Sequence, residues 1–143
     1  MARPLRMNSR VANELLRLCA LGEEFANNEQ FSDALGTYQK AAKLIPSPIE
    51  MWDATHWIYA AIGDVQFLTS QFAGAVESLH IAVATGALGN AFVHLRLGQC
   101  HYELGQLEAA GEELCRAYMA DGTTVFDGED PKYFAFLKTR IRV

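Results

Sequence analysis

The chain reads as an all-α protein, an array of three helical hairpins with one further helix behind them. Two observations predict this. A pattern of small and large residues, Leu18, Leu21, Gly22, Phe25, Ala34, Tyr38, Ala41 and Pro46, returns as Tyr59, Ile62, Gly63, Phe72, Ala75, Leu79 and Ala82, and again as His94, Leu97, Gly98, His101, Leu107, Ala110, Leu114 and Ala117. The small residue of each set lets two antiparallel helices approach, and the large ones fill the seam between them. The second observation is compositional: 143 residues, 50% of them hydrophobic and only 4 of them proline, are enough to bury one continuous core. A single domain is expected.

In the first unit, about residues 10–46, a helix runs from Arg10 to Asn27 and a second from Gln30 to Leu44, with Pro46 closing the unit. Matching positions then lie 41 residues on in the second unit (47–87) but only 35 further on in the third (90–122), so extra residues sit between the first two. Those residues begin with Ser47-Pro48-Ile49-Glu50, a capping box with proline at the first helical position, which predicts a long helix from Pro48 to about Leu68. Trp52 shares a stripe with Tyr59 and Gly63, which predicts packing against the first unit rather than ligand contact. In the final segment, 123–143, a loop to Glu129 precedes Asp130-Pro131, which caps a short helix from Lys132 to about Ile141 bearing Tyr133, Phe134, Phe136 and Leu137. A repeat array needs its last face covered, so this helix is expected to be a cap. Its aromatic and basic content also allows it to fold back into the acidic groove of its own repeats.

The net charge of −5 hides an asymmetry. Arg3, Arg6 and Arg10 at one end and Lys132, Lys138, Arg140 and Arg142 at the other are free of acids, so residues 11–131 hold all 17 carboxylates against 5 basic residues, a formal charge of −12. Such a body repels nucleic acid phosphates and attracts basic proteins or peptides. The start of the chain is amphipathic rather than a secretory signal, and no stretch reaches the roughly 20 apolar residues of a membrane span, so a soluble cytoplasmic protein is expected, bound neither to nucleic acid nor to a membrane. Cys19, Cys100 and Cys115, odd in number and widely spaced, read as free thiols.

No phosphate loop, nucleophile elbow or His-Glu-x-x-His motif is present, so neither an enzyme nor a cofactor is expected. His94 and His101, two helical turns apart with Cys100 beside the second, are the sharpest metal alternative. Both occupy repeat positions that take packing residues, and neither has a third ligand at a suitable spacing, so buried hydrogen-bonded histidines are the better expectation. Asp127-Gly128-Glu129-Asp130 lacks the ligand alternation of a calcium loop and reads as turn and cap.

From about residue 15 to 122 the eight-position pattern resembles the tetratricopeptide repeat (TPR) family, clearly in the first unit and less so in the second, where Gln66 replaces an aromatic. The resemblance implies a right-handed superhelix whose first helices line a concave groove. Carried over position by position, that groove takes Leu16, Cys19, Glu23 and Asn27 from the first unit. From the second it takes Asp53, Trp57, Ala60, Ala61, Asp64, Phe67 and Leu68, and from the third Phe92, Leu95, Arg96, Gln99, Tyr102 and Glu103. Of these, Glu23, Asp53, Trp57, Asp64, Phe67, Phe92, Arg96, Gln99 and Tyr102 are the expected partner-binding residues. The aromatics anchor and the carboxylates select a basic, partly apolar protein or peptide, with at least two of the four aromatics accessible to it.

Family members that clamp acidic chaperone tails use a basic and amide set at five groove positions. Here those positions hold Cys19, Glu23, Ala61, Phe92 and Arg96, and only Arg96 fits. The resemblance therefore implies a non-enzymatic interaction module, an adaptor or a toxin-neutralising immunity protein. A second resemblance, to the small acidic chaperones that hold translocators of type III secretion, implies an extended segment in the groove and allows a homodimer through the N-terminal region. A metal sensor or enzyme using His94 and His101 is the third alternative.

Overall fold

The computed structural model of the chain describes residues 6–143. Seven α-helices follow one another: α1 (Ser9–Asn27), α2 (Phe31–Leu44), α3 (Asp53–Leu68), α4 (Phe72–Ala82), α5 (Ala91–Glu103), α6 (Leu107–Asp121) and α7 (Pro131–Lys138). Each helix packs on the next, α4 reaching α5 past a wide π turn at Val83–Ala87 and α6 reaching α7 past a 3-10 turn at Gly122–Phe126. The basic N-terminal end expected from Arg3, Arg6 and Arg10 is described only from Arg6 onward; Arg3 lies outside the described residues.

The seams are built as the small and large residues predict. A methyl group added at Gly22 would lie 2.6 Å from the Tyr38 ring, at Gly63 2.5 Å from Leu79, and at Gly98 2.6 Å from Leu114. Side chains cannot occupy such distances, so glycine is what brings α1 onto α2, α3 onto α4 and α5 onto α6.

The hairpin turns repeat as closely as the seams. Gln30, Gln71 and Gln106 each return a backbone amide to the helix carbonyl five residues earlier, at 2.8, 2.7 and 2.9 Å. The residue before each glutamine, Glu29, Ser70 and Gly105, takes a left-handed backbone with φ of 58°, 61° and 76°. This is the Schellman ending of a helix, which satisfies carbonyls that the helix itself leaves open.

Between the first two hairpins the structure departs from expectation. The capping box at Ser47 does not form and no helix starts at Pro48. A single 3-10 turn, Ile49–Met51, is followed by an extended Trp52 (φ −119°, ψ 131°), and α3 begins only at Asp53. Side chains explain the break. The Trp52 indole donates to the Pro46 carbonyl at 2.8 Å and the buried Thr55 hydroxyl donates to the Ile49 carbonyl at 2.5 Å, so both fold the segment back on itself. Trp52 packs against the first core, as its stripe predicts. The unexpected Gln66 also has a use: its amide oxygen accepts from the Ser78 hydroxyl at 2.7 Å, tying α3 to α4.

Three linked apolar clusters form the core. Leu15, Leu18, Tyr38, Ile58 and Ile62 join the first hairpin to α3. Leu79, Val93, Leu97 and Cys100 join α4 to α5. Leu95, Leu114, Tyr133 and Leu137 bury α7 against the third hairpin. As expected, Asp130 caps α7, accepting from the Lys132 amide at 2.9 Å, but the helix ends at Lys138, short of Ile141. The segment foreseen as a loop before it contributes Val125 and Phe126 to the last cluster.

Candidate functional site

The inner faces of α1, α3 and α5 form a trough whose two halves differ. In the N-terminal half, Leu16 is 70% exposed and Trp57 44%. With Met7, Ala12, Leu15, Cys19 and Ala54 they line an apolar pocket of 420 Å³. Trp57 meets the Tyr38 ring edge-on at 6.1 Å, which fixes the indole from below. Glu23, one turn beyond Cys19 on α1, and Asp53, beside Ala54 on α3, are exposed.

The C-terminal half is occupied by the chain itself. Arg96, only 7% exposed, donates from Nε to Asp64 Oδ1 at 2.8 Å, and from Nη1 to Gln99 Oε1 at 2.8 Å and Glu129 Oε1 at 2.5 Å. Gln99, fully buried, gives its amide to the same Glu129 oxygen at 2.7 Å. The guanidinium also lies over Phe67 and Phe92, 4.4 and 4.8 Å from their centroids. Beyond it, Tyr102 packs against Tyr133 and Phe136 at 5.5 and 5.2 Å, and Phe67 against Tyr133 at 6.5 Å. Glu103 accepts 2.7 Å bonds from the Tyr133 hydroxyl and the Lys132 ammonium, and these two donors hold its carboxyl below the usual range.

Of the residues expected to meet a partner, Glu23, Asp53, Trp57 and Phe92 are exposed, and Asp64 is partly so. Arg96 and Gln99 correct the expectation, since their hydrogen-bonding groups are spent on Asp64 and Glu129. Phe67 and Tyr102 lie against the C-terminal segment, which packs Leu137 into the last core cluster and brings Glu129, Tyr133 and Phe136 to Arg96, Phe67 and Tyr102.

The histidines are committed as well. His94 is buried, with Nδ1 2.6 Å from Glu113 and Nε2 2.6 Å from the Leu88 carbonyl, and His101 Nδ1 lies 2.6 Å from the Gln106 amide oxygen. Among the described residues no set of three His, Cys, Asp or Glu side chains is placed to hold a metal. The Cys100 thiol, sealed in the core, is pushed up to about 12 by burial. No described helix is long and apolar enough to cross a membrane.

Neither a protein-family model nor a curated protein sequence matches the chain. Solved structures do. The Yersinia enterocolitica type III secretion chaperone SycD, in complex with a peptide of the translocator YopD, superposes with a TM-score of 0.71 at 16% identity, covering 89% of this chain and 92% of that one. The first TPR of Spaghetti (RPAP3), bound to the HSP90 peptide SRMEEVD, gives 0.69 at 17%, covering 89% and 90%. The N-terminal domain of stress-induced protein-1 from C. elegans gives 0.67 at 21%, covering 93% and 98%. The chain has the tetratricopeptide-repeat fold. Within that fold α1, α3 and α5 are the inner helices of a right-handed superhelix, and α7 packs against the third hairpin. One contact of the inner helices escapes sequence reasoning, that of Glu129 with Arg96 and Gln99. The turn at Asp127-Gly128-Glu129-Asp130 carries no signal that marks Glu129 as the partner of Arg96, whereas the aromatic excess of the C-terminal helix does point to Tyr133.

Proposed function

We propose that this chain is a non-enzymatic protein-interaction module that seats a segment of a protein partner in the N-terminal half of its concave groove. The observation that carries the reading is the open apolar pocket beside Trp57, with the exposed Glu23 and Asp53 one turn or less along the chain from its lining residues Cys19 and Ala54. An exposed tryptophan held rigidly over such a pocket is the kind of anchor on which interfaces concentrate their energy. The carboxylates at its border favour a basic, partly apolar partner. An adaptor or a toxin-neutralising immunity protein suits this description.

A secretion-type chaperone is the second reading, favoured by the similarity to a translocator-bound chaperone of the same fold. It calls for an extended apolar segment as ligand. Among the described residues no set of three ligands surrounds His94, whose ring nitrogens are both engaged.

Capture of partners from a lysate of the source cells by the immobilised, untagged protein, followed by mass spectrometry, tests the groove. A partner retained by the wild type is expected to be lost in Trp57→Ala, and its retention is expected to fall with added salt. Equal retention by Trp57→Ala and by Glu23→Lys would remove the groove from the account.

A further inference from the structure

His94 on α5 meets two partners, and both are acceptors. Nδ1 lies 2.6 Å from Glu113 Oε2 on α6, and Nε2 lies 2.6 Å from the Leu88 carbonyl in the turn that joins α4 to α5. A carbonyl oxygen never donates, and an ionised carboxylate does not either. A neutral imidazole has one N–H and one bare nitrogen, so it satisfies one of these contacts and sets a lone pair against the other. The doubly protonated ring satisfies both.

The alternative is a hydrogen on Glu113 that points at Nδ1. The other carboxylate oxygen speaks against it: Glu113 Oε1 accepts from Arg116 Nη1 at 2.6 Å, a charge-assisted bond that calls for the ionised form. His94 and Glu113 are 4% and 9% exposed, so ring and carboxylate must satisfy one another rather than rely on water. The charged groups of the neighbouring elements are turned elsewhere. Asp64 of α3 bonds to Arg96, and His80 of α4 faces His101 with ring centroids 6.1 Å apart. On α6, Cys115 is a further titratable side chain on the wall that His94 shares with Leu88, Arg116 and Met119.

We propose that His94 is a proton-held latch between the second and third hairpins. As an imidazolium it ties the α4–α5 turn to α6, and loss of one hydrogen undoes the tie. The carboxylate is the stronger acceptor, so the remaining hydrogen stays on Nδ1 and the bare Nε2 is left facing the Leu88 carbonyl, two lone pairs opposed. The turn has freedom to move away: the Leu88 side chain is 72% exposed, Gly86 before it stands at φ 143°, and no atom crowds Gly89 after it. The sign follows from which state holds the hydrogen. The folded arrangement binds it, so the tie is whole in mild acid and is lost as pH rises. The latch is independent of the groove reading, and each stands or falls without the other.

Nitrogen-15 NMR of the imidazole side chains, followed from about pH 6 to about pH 8.5, reads the ring directly and needs no variant. Both His94 nitrogens are expected to carry hydrogen at the acidic end, with Nε2 the one that loses it. Hydrogen exchange reads the turn through the amides of Asn90, Val93 and His94, which bond to Ala87 and Asn90. After correction for the base-catalysed rise of free amides, their protection is expected to fall about tenfold over that range relative to α1 and α2. In Glu113→Gln the new amide donates to Nδ1 and its oxygen still accepts from Arg116, so the neutral ring gives its hydrogen to Leu88. That variant is expected to show one protonated nitrogen and no pH-dependent loss, with a thermal melt to check its fold. A single protonated nitrogen in the wild type at the acidic end overturns the latch. So does protection that stays constant while the ring loses its hydrogen, or an equal loss in folded Glu113→Gln. Should the variant not fold, the two wild-type measurements decide.

Discussion

Glu103 fastens the last helix to the third hairpin by accepting from Tyr133 and Lys132 together. Both donors favour the charged carboxylate, so its folded pKa lies below the ordinary glutamate value. The sign of the consequence follows: the stabilisation is present at pH values above the unfolded pKa, and it is lost as pH falls through the lowered folded one. On acidification from neutral pH to about 3, amides of α7 are expected to lose hydrogen-exchange protection before those of α1 and α2. Glu103→Gln should remove the acid dependence of α7 while leaving that of the rest. Identical pH profiles for α7 in the two proteins would contradict this role. The effect is modest, because the Lys132 arm of the contact is open to water.

At the scale of elements, the three hairpin turns share one geometry but not one chemistry. The left-handed position is Gly105 in the third hairpin, Ser70 in the second and Glu29 in the first. Residues with a side chain are strained there, whereas glycine is not. Ser70→Gly and Glu29→Gly are each expected to raise stability by about 0.5–1 kcal/mol. Gly105→Ala should lower it by a similar amount, all read from urea melts. Stability unchanged across the set would mean that local relaxation absorbs the strain. These turns were legible in part. Gln30, Gln71 and Gln106 recur at the repeat spacing, so the place of each turn could be read, but neither serine nor glutamate announces a left-handed backbone. The glycines of the seams were fully legible, because their partners Tyr38, Leu79 and Leu114 stand at fixed offsets. The start of α3 was misread for a physical reason. Ser47 and Glu50 carry a local capping signal, but Trp52 and Thr55 bind carbonyls of the same segment and outweigh it.

For the whole molecule, the order of hairpins and the cap were readable because each depends on contacts within one repeat or between neighbours. The state of the groove was not. Whether Arg96 faces a partner or an internal carboxylate depends on where Glu129 arrives after a turn that no periodicity dictates, and the same holds for the covering of Phe67 and Tyr102. Arg96 is therefore the residue whose removal acts across the molecule. Arg96→Gln leaves Asp64 and Glu129 without their shared cation and is expected to lower stability by about 3 kcal/mol. It should also enlarge the radius of gyration measured by small-angle X-ray scattering. A compact, equally stable variant would show that the trio is incidental.

Because Arg96 on α5 grips Asp64 on α3 and Glu129 ahead of α7, one planar cation works as a tie-rod from α3 through α5 to the segment that leads into α7. A solenoid is elastic along its axis, and its pitch is the property that most easily varies. On the proposed groove reading, the tie-rod sets the curvature before a partner arrives, so association should cost little in the ordering of the cradle, and segments of the wrong girth should meet a wall that does not yield.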